Sequence, residues 1–104
     1  MQDKNNIPEL QSPFEQLREL DADGKEWWNS RRLARVMGYG KYWNFERVIA
    51  KAQAWTSQKG YHLGEHFVEI REMAELGNGA IREVASMLLS RAACMAVTMN
   101  ADQK

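Results

Sequence analysis

Cysteine, proline and long apolar runs are all scarce in this sequence. Its 104 residues include one cysteine, Cys94, and two prolines. A single cysteine cannot close an internal disulfide, which is typical of proteins in the reducing cytoplasm. The longest apolar-rich stretch, residues 87–99, contains Ser90 and Arg91 and is shorter than the about 20 residues that a membrane-spanning helix needs. The sequence therefore predicts a cytoplasmic protein without a membrane segment.

Signatures of cofactor chemistry are also scarce. The seven glycines form neither a dinucleotide-binding G-x-G-x-x-G motif nor a P-loop. One pattern, H-x-x-E-H, occurs at His62, Glu65 and His66, where an inverted zinc peptidase would need both histidines on one helix face. Gly60 and Gly64 disfavour a helix there, and no third ligand is evident. A zinc metallohydrolase is thus the least favoured hypothesis, and we expect no enzyme activity, cofactor or metal.

Charge is balanced overall but unevenly distributed. The 14 basic and 14 acidic residues give a net charge of zero. Residues 1–24 carry −4, residues 25–59 carry +6 and residues 60–104 carry −2. A basic middle segment in a neutral chain indicates an anion-binding surface, although solvated helix faces would give the same balance.

Turn and periodicity signals predict a single α+β domain over residues 13–104, preceded by a flexible segment, residues 1–12. A first hairpin is expected to close at Gly24, before the tryptophan pair at 27–28. Residues 65–89 are ambiguous, but the Gly77-Asn78-Gly79 turn favours a second hairpin whose first arm is in part helical. The expected architecture is small β-hairpins packed with a helix-turn-helix-like helix pair and a C-terminal apolar helix.

Three helices complete this prediction. The first starts after the capping residues Asn29 and Ser30 and ends at Gly38. The second covers about residues 42–57, with an inward stripe that includes Phe45 and ends at Trp55. The third covers residues 91–100 and is apolar nearly all round, which predicts a buried helix.

The first two helices, joined by a short glycine-containing connection, are the candidate nucleic-acid interface. Asn and Arg side chains can read adenine and guanine, and Lys and Arg contact phosphates. An ordinary helical hairpin with solvated charges is the alternative. Three aromatic residues, Tyr39, Tyr42 and Trp43, could stack on unpaired bases, or simply pack at the turn. The candidate DNA-binding residues are Arg31, Arg32, Arg35, Lys41, Asn44, Arg47 and Lys51.

Several linked motifs carry a family resemblance across about residues 14–104. They are residues 28–39 (WNSRRLARVMGY), the set Tyr42, Asn44, Phe45, Val48, Ile49, Lys51 and Ala52, the pair His66-Phe67, residues 77–84 (GNGAIREV) and residues 89–94 (LSRAAC). In order and spacing they resemble the N-terminal part of the DNA-damage-inducible protein D family, which is related to the Bro-N domains of phage antirepressors. Family members usually continue for well over another hundred residues, so the C-terminal part of the usual protein is expected to be absent.

The resemblance implies an α+β, DNA-binding regulatory domain of the bacterial SOS response, with single- or double-stranded DNA as partner. It also implies an alternative, a protein-interaction module that acts on a RecA-type recombinase or a repressor. The apolar last helix could additionally form a homodimer interface.

Overall fold

The computed structural model describes residues 12–75 and 77–101, which form four α-helices and one four-stranded antiparallel sheet of strand order β1-β2-β4-β3. The predicted α+β class is confirmed. The predicted flexible segment, residues 1–12, lies outside the described residues except for Ser12, which caps the first helix. In chain order the elements are α1 (Pro13–Gln16), β1 (Glu19–Leu20), β2 (Glu26–Asn29), α2 (Ser30–Val36), α3 (Tyr42–Gln58), a 3-10 turn (Leu63–Glu65), β3 (Phe67–Glu75), β4 (Ile81–Leu89) and α4 (Arg91–Asn100).

The helix ends follow the capping signals in the sequence. The side chain of Asn29 accepts hydrogen bonds from the first backbone N–H groups of α2, and Ser90 does the same for α4. Gly38 and Gly60 follow α2 and α3 with φ of 88° and 87°, a left-handed conformation that glycine adopts without steric cost. The predicted boundaries of all three helices are therefore confirmed to within about two residues.

The two hairpins are present, but their arms differ from the prediction. Strands β3 and β4 pair without interruption from Phe67↔Leu89 to Glu75↔Ile81, so the expectation of a partly helical first arm is wrong. The nine residues of β3 alternate in exposure along the strand, and cross-strand pairing outweighs their weak helical spacing. The first hairpin also forms, but its first arm is only the two-residue strand β1, because the residues from Pro13 form α1.

One apolar core lies between the sheet and the helices α3 and α4. Trp27 and Trp28 lie on opposite faces of the sheet, because successive side chains of a strand point to opposite faces. Trp28 is fully buried on the helix-covered face and its ring stacks on that of Phe14, 4.5 Å away. The other buried core residues are Leu33, Ala34, Phe45, Val48, Ile49, Ala52, Phe67, Leu89, Ala93, Cys94, Ala96 and Val97.

Arg91 closes the edge of this core beside Trp28. Its guanidinium lies 4.9 Å from the Trp28 ring and binds Glu15 and Glu26 at 3.0 and 2.9 Å. The hydrogen bonds from Arg91 lower the pKa of Glu26 to about 2 and hold that of Glu15 below its usual value. The network thus ties α1, β2 and the start of α4 together.

Helix α4 is buried on one face only, which corrects the prediction of a helix buried all round. Ala93 and Val97 face α3 and the sheet, whereas Met95 and Met99 are 62 % and 61 % exposed. Within the described residues no element covers the methionine side of α4, whose main contacts are with α3 and the sheet. No helix in residues 12–75 and 77–101 combines the length and apolar character needed to cross a membrane.

The helix-turn-helix-like pairing is not confirmed. Helix α2 is fastened to β4, since the Ser30 hydroxyl accepts a hydrogen bond from the Met87 N–H at 2.9 Å. Helix α3 instead packs along α4, with Phe45 and Ile49 in the core. Local spacing predicted both helices, but it could not predict that α2 is fastened to β4 by a contact across 57 residues of sequence.

Candidate nucleic-acid interface

The seven predicted DNA-binding residues divide by what their side chains contact. Arg31 is held by the fold, because it donates to the Ala85 carbonyl at 2.8 Å and to the Ser86 hydroxyl at 2.9 Å. Its guanidinium also lies 4.0 Å from the centre of the Tyr42 ring. Arg31 therefore anchors α2 to β4 through its Nε and Nη2 groups.

Arg32 and Arg35 lie on α2 but differ in their partners. Arg32 forms an ion pair with Glu19 at 3.1 Å in which both side chains are about half exposed. Arg35 is exposed in the last turn of α2, and within the described residues no hydrogen bond or ion pair engages it. The exposed Arg32–Glu19 pair contributes little stability, and Arg32 can readily exchange Glu19 for another anion. Both Arg32 and Arg35 can therefore reach a phosphate.

A cleft lies beside these arginines, between α2 and the outer half of β3. On its far side Glu72 accepts hydrogen bonds from the Asn29 amide at about 3.0 Å. Burial alone would raise the pKa of Glu72, but the hydrogen bonds from Ser86 and Asn29 lower it below its usual value. The three α2 arginines line the near side of the cleft and two glutamates, Glu72 and Glu75, its far side, so the cleft carries both signs of charge.

Two of the three candidate stacking residues pack into the protein. The Tyr42 hydroxyl pairs with the buried Ser30 hydroxyl, and burial raises the pKa of this phenol. Tyr39 is half-buried with its ring 5.1 Å from that of Phe45. Trp43, in contrast, is 54 % exposed. Of the three predicted stacking residues, Trp43 thus offers the most open ring.

Trp43 belongs to a straight line of side chains on the outer face of α3. Trp43, Arg47 and Lys51 are spaced four residues apart, which places them on one side of the helix at intervals of about 6 Å. All three are exposed, and the Arg47 guanidinium lies 5.5 Å from the Trp43 ring centre. We call these three residues the α3 ridge.

The surroundings of the α3 ridge are basic. Lys41 is exposed at the N-cap of α3, and Arg35 lies at the end of the preceding helix. The single acidic residue of α3, Glu46, lines a cavity between α3 and the sheet. The predicted ligand Asn44 is half-buried on the adjoining side of the helix. The sequence predicts Trp43 for stacking alone, although a helical projection would have aligned it with Arg47.

The H-x-x-E-H pattern does not form the helix that a zinc peptidase requires. His62 precedes the 3-10 turn, and His66 follows it with its Nδ1 2.7 Å from the Ser90 hydroxyl. Among residues 12–75 and 77–101, no three His, Cys, Asp or Glu side chains are grouped so that they could hold a metal ion. His66 is therefore engaged at the start of α4, and the zinc hypothesis loses its structural basis.

A second exposed surface lies on α4. Met95 and Met99 project between two shallow apolar grooves, one lined by Trp55 and Tyr61 and the other by Phe14. Apart from Arg91 and His66, the described residues that line the two grooves have no basic or carboxylate side chain, and this distinguishes the surface from the α3 ridge. It has the composition of an adaptable protein-contact surface.

Comparison with known proteins gives this geometry a context. The chain is 35% identical over 94 residues to DNA damage-inducible protein D of Escherichia coli (strain K12). The match covers 90% of this chain and 34% of that protein, so the chain spans about a third of the length of its relative. No protein-family model matches the chain, and no solved structure does so either.

Proposed function

The chain belongs to the DNA damage-inducible protein D family over the part that it spans, as its motifs predicted, and on this premise we propose that it is a DNA-binding regulatory domain of the DNA-damage response. The observation that carries the proposal is the α3 ridge. It combines an exposed tryptophan with two cations in a line, with Lys41 at the N-cap of the same helix and Arg35 in the last turn of the preceding one. Aromatic stacking together with a basic track is how proteins bind single-stranded nucleic acid.

Single-stranded DNA is the favoured ligand. Trp43 offers a ring face to an unpaired base, and Arg47 and Lys51 follow at intervals at which they can contact successive parts of one backbone. A helix-turn-helix would instead insert α3 into the major groove of a duplex with α2 lying across it, and α2 is fastened to β4. Double-stranded DNA is accordingly the weaker expectation.

Binding without catalysis is part of the proposal. The sole cysteine is buried, and this burial raises the pKa of its thiol to about 12, which suits a core residue rather than a nucleophile. The H-x-x-E-H segment lacks the helix that would align its histidines. The cytoplasm is the proposed compartment, because a free thiol is the usual state of cysteine there.

Two single-residue variants separate the two parts of the binding surface. We expect Trp43→Ala to weaken binding of an oligothymidine by about 1–3 kcal/mol without changing its salt dependence. Arg47→Glu should weaken binding and reduce the slope of log K against log salt by about 0.7 or more, because one phosphate contact is lost. Fluorescence anisotropy of the labelled oligonucleotide measures both quantities.

Arg82→Glu is the matched control, because Arg82 is exposed on β4 and its reversal changes the net charge by the same amount. If Arg82→Glu weakens binding as much as Arg47→Glu, the protein responds to total charge and the α3 ridge is not the interface. If Trp43→Ala binds like the parent protein, stacking plays no part.

The exposed methionines of α4 favour a second candidate function, a protein-interaction module that acts on a RecA-type recombinase or a repressor. Its test is recombinase capture in nuclease-treated solution by the parent protein and by the Met95→Glu variant. Capture by the parent that the variant loses would support this function, whereas equal capture, or none, would remove the α4 surface from it. The homodimer through α4 that the sequence suggested stays a prediction, and it is tested by the effect of Met95→Glu on the mass of the protein in solution.

A further inference from the structure

Strand β3 is a long, regular edge of the sheet. It occupies the end of the strand order β1-β2-β4-β3 and pairs on one side only, with β4. Its nine residues, FVEIREMAE, contain neither proline nor lysine, and the register with β4 shows no bulge. Proline, lysine and bulges are devices by which proteins usually protect an edge strand from pairing with another chain. The four charged residues of β3 are another such device, but they are of both signs and can be matched across a paired edge.

The hydrogen-bond pattern identifies the backbone groups that point outward. The Ser90 N–H donates to the His66 carbonyl at 2.9 Å, and bonded pairs alternate along an antiparallel ladder. Even-numbered residues of β3 therefore bond to β4. The odd-numbered residues, which direct N–H and C=O groups to the open edge, are Phe67, Glu69, Arg71, Met73 and Glu75.

Strand β4 supports this assignment independently. The Met87 N–H and the Ala85 carbonyl bond to Ser30 and Arg31 of α2, on the side away from β3. Odd residues of β4 thus face away from β3, as the alternation requires. Among the described residues, no hydrogen bond engages the outward backbone groups of β3.

We propose that this edge pairs with the same edge of a second copy of the chain, antiparallel and centred on Ile70. In this register Glu69 of each copy lies opposite Arg71 of the other. Both side chains are exposed on the same face of the sheet, and within the described residues neither has an ion-pair partner. The pairing would form about eight backbone hydrogen bonds and two ion pairs between the copies.

Charge selects this register over its neighbours. Centring the pair on Arg71 would set two arginines opposite each other, and centring it on Glu72 or Glu69 would oppose two glutamates. Like charges directly opposite each other on a sheet are destabilising. Within residues 67–73, the register centred on Ile70 places the two isoleucines together and avoids every such pair. Glu46 lines the cavity beneath Glu69, so an incoming Arg71 also approaches a second carboxylate.

Charge reversal gives a complementary pair of variants. In Arg71→Glu each of the two Glu69–Arg71 contacts becomes a pair of glutamates, and in Glu69→Arg each becomes a pair of arginines. Each variant alone should therefore dimerise roughly 10–50-fold more weakly than the parent. Mixed in equal amounts, the two variants restore both opposite-charge pairs. Sedimentation velocity of the whole chain over a range of concentrations measures the dimer in each sample, and circular dichroism verifies folding.

Recovery of the dimer on mixing is the result expected from β3 pairing, with Arg82→Glu as a control that leaves dimerisation unchanged. A chain that is monomeric at every concentration would overturn the proposal. So would a dimer that survives both charge reversals, or one that is lost in Met95→Glu and unaffected by changes at Glu69 and Arg71, because α4 would then be the interface.

Discussion

Ser30 lies where three elements meet, and its replacement by alanine is the sharpest structural prediction. The residue is fully buried at the start of α2. Its hydroxyl accepts a hydrogen bond from the Met87 N–H of β4 at 2.9 Å and pairs with the Tyr42 hydroxyl at the start of α3. Ser30→Ala would remove the hydroxyl oxygen and leave the Met87 N–H and the Tyr42 hydroxyl without this hydrogen-bond partner.

The expected loss of stability follows from those two partners. A buried N–H without an acceptor costs about 1–3 kcal/mol, and the lost hydrogen bond to the half-buried Tyr42 adds about 0.5–1.5 kcal/mol. Partial access of water to Tyr42 reduces the second contribution, so we expect about 2–3 kcal/mol in all. For a domain of this size that corresponds to a fall in Tm of roughly 10–20 °C.

Urea unfolding followed by tryptophan fluorescence measures this difference, with an unchanged m value as the sign of two-state behaviour. Tyr42→Phe should cost only about 0.5–1.5 kcal/mol, because Met87 keeps its acceptor. Ser57→Ala on the exposed side of α3 is the control and should stay within about 0.5 kcal/mol of the parent. A Ser30→Ala variant as stable as this control would refute the hydrogen-bonded junction.

Three further predictions concern stability and reactivity. Arg91 lowers the folded-state pKa of Glu15 and Glu26. The stability that these two carboxylates contribute is therefore present above about pH 5 and is lost as the pH falls toward about 2. In acid titrations of unfolding, Arg91→Met should reduce this loss of stability. Cys94 should react with iodoacetamide at pH 8 only at the rate of unfolding, measured by mass spectrometry, and fast labelling of the native protein would contradict its burial. Gly60→Ala should cost about 1–2 kcal/mol in urea unfolding because φ is 87°, and a neutral effect would show that the backbone can relax.

Local signals in the sequence were sufficient for most of the helices and turns. The stripe that includes Phe45 predicted α3, Ser90 predicted the start of α4, and Gly77-Asn78-Gly79 predicted the β3–β4 hairpin. These features depend on neighbours within a few residues, where capping and periodicity act. The hairpin arms were the exception, because β3 is decided by pairing with β4.

Long-range contacts could not be predicted from the same signals. Arg31 was grouped with the other basic residues, yet the Ala85 carbonyl that it binds lies 54 positions away. Tyr42 was considered for base stacking, yet its hydroxyl pairs with Ser30. Basic and aromatic side chains therefore separate into structural and solvent-facing groups only when the sheet is assembled. For this reason the α3 ridge contains only some of the predicted site residues.

Binding of single-stranded DNA by the α3 ridge and its basic surroundings is the proposal on which the function of this domain depends. Its most direct test is the salt dependence of binding to a single-stranded and to a double-stranded oligonucleotide of the same sequence. If Arg35, Lys41, Arg47 and Lys51 each contact one phosphate, log K for the single strand should fall with log salt at a slope of about −3. We expect that slope together with tighter binding of the single strand. No binding at the lowest salt concentration, or affinity independent of salt, would contradict it.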